Sequence, residues 1–226
     1  MPTVASPGQI RSDFDNIARL MPDRDRLGPH DRWLLKRLPS GRGTVLEIGC
    51  GVGHLARRLA ADFDSVVAID FSEGMIAEAR RRTGAGAPIE YSCADMFDWL
   101  PRLPNHYDCI VTVGTLHHVV LRSALREIAL ALKPGGKLLV IDLLDRSGWR
   151  YLLLNASAYA VARAREAFAP RGMTSWKLRA AYWRHGRNET YLTLDEVERA
   201  AREELPRAQV RGHLLWRYTI IWQKPS

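Results

Sequence analysis

Cysteine is scarce in this chain, with three among 226 residues. Cys50, Cys93 and Cys109 form no CxxC pair and no Cys/His ligand cluster. That excludes a disulfide framework and a zinc motif of recognisable spacing. Long apolar runs are also missing. The most apolar late stretch, Trp149 to Ala162, contains Arg150 and Asn155 and is too short to cross a bilayer. The opening residues, MPTVASPGQIRSDFD, lack the continuous apolar core of a secretory signal. A cytoplasmic protein with no membrane span is therefore expected. No dense run of lysine and arginine occurs either, although the net charge of +8 is uneven. Residues 150–226 hold 14 Lys+Arg against 7 Asp+Glu, and residues 1–149 hold 19 against 18. A basic half can serve nucleic acid or an anionic substrate. Scattered arginines read first as a solvated surface.

What is present is a strand–helix rhythm. Apolar runs at Thr44–Ile48, Ser65–Ile69, Ile89–Cys93, Asp108–Val113 and Lys137–Ile141 alternate with helical segments at Leu55–Ala61, Ser72–Arg82 and Ala124–Leu132. Ser72 is placed to cap its helix. The turn LKPGG, Leu132 to Gly136, stops the third helix and opens the fifth strand. Strands this apolar at this spacing imply a parallel sheet with helices on both faces, an α/β doubly wound fold. Residues 144–190 then read as mainly helical and rich in arginine and tryptophan. Thr193–Glu204 reads as a helix with a Thr193/Glu196 capping box. The end, VRGHLLWRYTIIWQKP, reads as two strands pairing antiparallel at the sheet edge. One domain spans residues 1–226: N-terminal helices over 1–39, a core over 40–143, a helical cap over 144–190, and the last helix and strand pair over 191–226.

The first strand runs into Glu47-x-Gly49-Cys50-Gly51-x-Gly53. Glycine there lets backbone approach a ligand beyond the carboxyl end of the strand, where ligands of doubly wound sheets bind. A dinucleotide fingerprint, G-x-G-x-x-G/A, fails at its last position, which is His54, and the phosphate loop GxxxxGK[ST] is absent. An acid, Asp70, ends the second strand 19 residues after Gly51. That spacing by itself also suits a nicotinamide cofactor.

These residues resemble the class I S-adenosylmethionine-dependent methyltransferases, in their small-molecule-acting branch. The likeness covers roughly residues 40–145. The family's E-x-G-C-G-x-G motif is matched at every position, and VVAID, SCADMFDW, YDCIVTVGTLHHV and LKPGGKLLVID follow in order. The resemblance implies a Rossmann-like sheet of seven strands, mostly parallel, with an antiparallel C-terminal hairpin. It also implies S-adenosylmethionine as cofactor, leaving as S-adenosylhomocysteine. Glu47, Gly49, Cys50, Gly51 and Gly53 would form the loop against its amino-acid part, and Asp70 would take the ribose hydroxyls. Asp95 would meet the adenine amino group and Met96 the ring, with Phe71 and Met75 as apolar cover and Val113 and Gly114 at the methionine end.

Methyl transfer from a sulfonium is an in-line displacement, helped chiefly by holding the reactants in line. A base is needed only where the acceptor must lose a proton. Among seven histidines, His118 follows the fourth strand where the acceptor is expected. His185, in AYWRHGR, is a second candidate, and His117 is expected to point away because strand residues alternate. No metal-ligating cluster is visible in the spacing. The chain has no D/N-P-P-Y segment after strand four, which argues against methylation of DNA bases or glutamine amides, and no Pro-Cys nucleophile, which argues against cytosine-C5 chemistry through a covalent adduct. Trp149, Tyr151, Tyr159, Phe168, Trp176, Tyr182 and Trp183 in the cap can wall an organic acceptor or merely face the cap interior. Arg163, Arg179 or Arg184 can hold an anionic group, and Phe14 is a candidate contact from the N-terminal helices. The stripe Tyr151–Ala162 suits a hydrophobic substrate, a homodimer contact or the core. A small aromatic or hydrophobic metabolite is the expected acceptor, with RNA or protein as the alternative.

Overall fold

Residues that are apolar at every position of a short run have no wet face, so they become strands covered on both sides. Runs close to this form β1 (Thr44–Ile48), β2 (Ser65–Asp70), β4 (Tyr107–Val113) and the latter part of β5 (Leu132–Leu143), while β3 (Ile89–Cys93), at the sheet edge, leaves Glu90 and Cys93 exposed. In the computed structural model, β1 pairs in parallel with β2 and β4, β2 with β3, and β4 with β5. The final strands β6 (Gln209–His213) and β7 (Arg217–Gln223) are antiparallel, β7 lying against β5. The sheet order is β3-β2-β1-β4-β5-β7-β6. The structure describes residues 7–22, 29–40, 43–145, 155–157, 159–161, 163, 176–186 and 189–226.

Alternate side chains divide between two cores. Leu46, Ile69, Ile110 and Leu138 pack on one face with Leu125 and Ile128 of α6 (Leu121–Ala131) and Val197 of α8 (Leu194–Glu204). Val45, Val66, Cys109 and Leu139 pack on the other face. There they meet Leu34 of α2 (Pro29–Leu35), Leu55 of α3 (His54–Leu59) and Ile76 of α4 (Glu73–Arg82). A third cluster sits over the carboxyl ends of the strands. It joins Ile17 and Ala18 of α1 (Pro7–Leu20), Val52, Met75, and Leu178 and Ala181 of α7 (Trp176–Gly186). Ser72 caps α4 by accepting the Met75 N–H at 3.1 Å. The carboxylate of Asp15 reaches from α1 to the same helix start, bonding Ser72 Oγ at 2.5 Å and the Gly74 N–H at 3.0 Å.

Two expectations change. The LKPGG turn lies inside the fifth strand rather than ahead of it. Leu132 already pairs with Tyr107, and the register resumes with Lys137 opposite Cys109. Four residues therefore bulge out against the one between Tyr107 and Cys109. In the cap, Trp176 and Trp183 are 75% and 66% exposed, and the inner face of α7 is Leu178, Ala181 and His185. Trp149, Tyr151 and Phe168 lie outside the described residues. Among the described residues, no helix is long and apolar enough to cross a membrane.

The Thr193/Glu196 capping box is present: Glu196 Oε2 accepts the Thr193 N–H at 2.8 Å while Thr193 Oγ1 accepts from the Glu196 N–H. Thr193→Ala is expected to lower unfolding free energy by about 1 kcal/mol, read from urea denaturation against the unchanged chain.

Candidate active site at the carboxyl ends of the strands

Beyond β1 the chain turns through Gly49, Gly51 and Gly53, with φ of +72°, +52° and +73°, a region that disfavours residues with a Cβ. The three differ in what they make room for. A Cβ on Gly49 would collide with the Thr115 side chain, and one on Gly53 with the Tyr91 ring. At Gly51 it would meet only Met75 Sδ at 3.9 Å, and at Gly114 (φ +66°) nothing within 4 Å. Gly49 and Gly53 thus serve the chain's own packing, and Gly51 and Gly114 leave open space. The neighbouring strand pins the loop. The Ile69 carbonyl accepts the N–H groups of Gly49 and Cys50 at 2.8 and 3.0 Å. Asp70 accepts the Gly51 N–H on one carboxylate oxygen and the Ser72 N–H on the other, each at 2.9 Å. Burial raises the Asp70 pKa, against the pull of those backbone N–H groups.

Two adjoining cavities open over this loop. The first, about 770 Å³ including its mouth, is walled by Gly49, Asp70, Phe71, Asp95, Met96 and Ile10 among others. Asp95 also caps the short helix α5 (Met96–Trp99), accepting the Phe97 N–H at 2.8 Å. The second, about 1050 Å³, is walled by Gly51, Met75, Val113, Gly114, Phe14 and Tyr182, with His117, His185, Glu189, Tyr191 and Arg217 beyond. His118 and Thr115 line both. Gly51 and Gly114 leave backbone bare beside apolar walls with a carboxylate at each of two strand ends, which suits a ligand of mixed polar and apolar character.

The histidines are set by a carboxylate at the tip of β5. Asp142 is fully buried. Its Oδ2 accepts the N–H groups of Thr115, Leu116 and His117 at 3.1, 2.6 and 3.2 Å. Its Oδ1 stands 2.6 Å from His117 Nδ1. This winds Leu116–His118 into a single 3₁₀ turn. His117 accordingly faces the cavity as well, contrary to expectation, because strand alternation does not run through a turn. Glu189 is the common partner: Oε1 lies 3.1 Å from His118 Nδ1 and 2.7 Å from His185 Nε2, and Oε2 lies 3.4 Å from His117 Nε2. The Tyr191 hydroxyl donates to Oε2 at 2.7 Å.

Their charges diverge accordingly. Burial opposes charge on His117, yet its bonds to Asp142 and Glu189 prevail and lift the pKa to about 9. Burial and the neighbouring His117 push His118 below the ordinary value. Burial would raise the Glu189 carboxyl, but the three imidazoles and Tyr191 hold it far below the usual carboxylate range. Ligand atoms of His117, His118 and Glu189 all lie within 4.8 Å of one another, so these residues can also hold a metal ion.

Of the residues expected at the site, Gly49, Gly51, Asp70, Phe71, Met75, Asp95, Met96, Val113, Gly114, His118 and His185 line these cavities. Glu47, Cys50 and Gly53 do not. Cys50 is buried in the core, and Glu47, 4% exposed, has one carboxylate oxygen without a hydrogen-bond partner. Burial holds the Glu47 pKa well above the ordinary value, helped by Asp31 and Asp70. None of Arg163, Arg179 and Arg184 lines either cavity. Phe14 does. It meets Phe71, His118 and His185 edge-on, with ring centroids 5.7, 5.5 and 4.6 Å away. Sequence reasoning missed Asp142, Glu189, Tyr191 and Arg217. The acid ending KLLVID was the available sign for Asp142, and the ETY segment before the capping box gave only a faint one for the next two.

Comparison with known proteins agrees with this geometry. A family described as a methyltransferase domain matches residues 45–136, which run from β1 into β5. An uncharacterised methyltransferase of Mycobacterium tuberculosis is 31% identical over 199 residues, covering 87% of this chain and 94% of that protein. A demethylmenaquinone methyltransferase of Clavibacter sepedonicus is 31% identical over 144 residues, covering 60% of this chain and 58% of that one. Among solved structures, the DhpI–SAH complex shares the fold, with a TM-score of 0.61 and 22% identity across 98% of this chain and 100% of that one. The chain belongs to the class I S-adenosylmethionine-dependent methyltransferases and takes S-adenosylmethionine as its cofactor.

Proposed function

We propose that this enzyme methylates a small aromatic or hydrophobic metabolite, with the first cavity holding the nucleoside end of the cofactor and the second admitting the acceptor. The observation that carries the reading is the division of one cleft into two ends. Asp95 and Met96 wall one end, His117, His185, Glu189 and Tyr191 wall the other, and Gly49, Asp70 and His118 stand between them. The name of the Clavibacter sepedonicus relative, for a demethylmenaquinone acceptor, is consistent with an aromatic and apolar substrate.

Each residue has a separate task. Asp70, with each oxygen already fixed by a backbone N–H, keeps a second lone pair on each for a ribose hydroxyl. Asp95 and Met96 take the adenine, and Phe71 covers it. Gly51, Val113 and Gly114 leave room for the amino-acid end. When bound, the cofactor supplies an already activated methyl group on a sulfonium. The protein's contribution is to hold an acceptor atom in line with it, worth up to roughly 7–11 kcal/mol. For an acceptor that must lose a proton, His118 is the base. Glu189 faces its Nδ1 at 3.1 Å, favouring the tautomer protonated there, and Nε2 has no hydrogen-bond partner. His185 stacks beside it, with ring centroids 5.3 Å apart, and supports its position.

The acceptor class is tested by incubating the enzyme with methyl-labelled cofactor and cell extract. Label is expected in small organic-soluble product; label in RNA or protein instead would overturn the reading. Asp70→Ala is expected to weaken S-adenosylhomocysteine binding about 10- to 150-fold in calorimetry, from loss of charge-assisted hydrogen bonds. An unchanged affinity removes Asp70 from the ribose. His118→Ala is expected to lower turnover by about 10²–10⁴-fold with cofactor affinity retained. A base must be neutral to act, so activity falls as pH drops through the His118 pKa. Because burial depresses that pKa, the acid limb of kcat/KM should lie below the ordinary histidine value of about 6.5. An acid limb centred above it would assign the titration to another group.

A further inference from the structure

Three imidazoles converge on Glu189, and the way they do so exceeds what an ion pair needs. All four side chains are mostly shielded from solvent, at 6%, 10%, 7% and 9% exposure for His117, His118, His185 and Glu189. Glu189 Oε1 stands 3.1 Å from one ring nitrogen and 2.7 Å from another, yet it has no aligned hydrogen bond. Close approach without alignment is expected of atoms directed at a common third centre.

Two of the rings are also held from behind. His117 presents Nε2 to Glu189 while Nδ1 sits 2.6 Å from Asp142. His185 presents Nε2 to Glu189 while Nδ1 faces Asp13 at 3.4 Å. A carboxylate behind an imidazole fixes the tautomer with its lone pair forward, which is the outer-shell arrangement of metal-binding histidines. The spacing fits as well. Ligand atoms at about 2.0–2.1 Å from a tetrahedral ion stand about 3.3 Å apart, beside the 3.1 and 3.4 Å found for His118 and His117 against Glu189.

We propose that His117 Nε2, His118 Nδ1 and Glu189 form a binding site for a divalent transition-metal ion of the Zn²⁺ type on the acceptor side of the cleft. The donor set is two imidazole nitrogens and one carboxylate, which favours Zn²⁺ over the all-oxygen preference of Mg²⁺ or Ca²⁺. With Nδ1 of His118 on the ion, the ring proton stays on Nε2. The loaded form therefore exchanges a proton acceptor for a Lewis acid at the wall of the acceptor cavity. Only this consequence rests on the methyltransfer reading; binding of the ion does not.

The test uses the full chain, stripped by chelator, dialysed and titrated with Zn²⁺, with Mg²⁺ as contrast and S-adenosylhomocysteine binding measured on every sample. About one Zn²⁺ per chain is expected to survive gel filtration, and Co²⁺ in its place should give the visible absorption of a tetrahedral nitrogen–oxygen site. His117→Ala with Glu189→Gln should abolish both. Asp142→Asn, which alters the group behind His117, should weaken Zn²⁺ about 10- to 100-fold, while the surface control His106→Ala leaves it unchanged. Retention far below one ion by the unaltered chain, or equal retention by the double variant, would overturn the site and leave the cluster an ion-pair network. Should the double variant fail to fold, the Co²⁺ spectrum of the unaltered chain decides. S-adenosylhomocysteine binding without zinc defeats this inference and leaves the proposed function intact; zinc binding without S-adenosylhomocysteine does the reverse.

Discussion

The site depends on carboxylates buried at strand tips and met there by backbone N–H groups. Asp70 ends β2 and accepts from the glycine loop and from the start of α4. Asp142, near the end of β5, accepts from three successive residues after β4 and from His117. A buried charge without partners is costly, whereas one that collects several N–H donors organises whatever carries them. Each acid thus shapes the loop that leaves the neighbouring strand. Without the strand order that sets β2 beside β1 and β4 beside β5, neither carboxylate would reach its loop.

This explains why the two ends of the cleft differ in kind. Around Asp70 the groups that face the cavity are glycine backbone, a second carboxylate at Asp95 and apolar side chains such as Ile10, Phe71 and Met96. Around Asp142 they are imidazoles, a phenol and Glu189, gathered from β4, α7 and the segment ahead of α8. Bonds to Asp142 and Glu189 carry His117 upward in basicity against its burial, while burial and the neighbouring His117 carry His118 downward.

Much of the sheet was legible because its evidence is local. Continuous apolar runs marked five strands, Ser72 and Thr193 announced helix starts, and the glycines declared the turn after β1. The glycine-loop end of the cleft was legible for the same reason: Gly51, Asp70 and Asp95 lie at strand ends that can be counted along the chain. The histidine end was not. Glu189 meets His118 across 71 positions of chain, and no spacing rule connects them. His117 was misjudged because a 3₁₀ turn replaces the strand geometry just where the reading assumed it. The cap tryptophans misled in another way, since an aromatic residue in a helix carries no mark of which side it faces.

One feature of the roof bears on how the molecule is put together. Helix α1 contributes Ile10 and Phe14 to the cavity walls, but it packs in the small third cluster and not in either sheet core. Its polar attachments are Asp15 on the start of α4 and Asp13 on His185 of α7. The durability of the sheet and the enclosure of its ligands are thus properties of separate parts of the chain, and selection can tune one without touching the other.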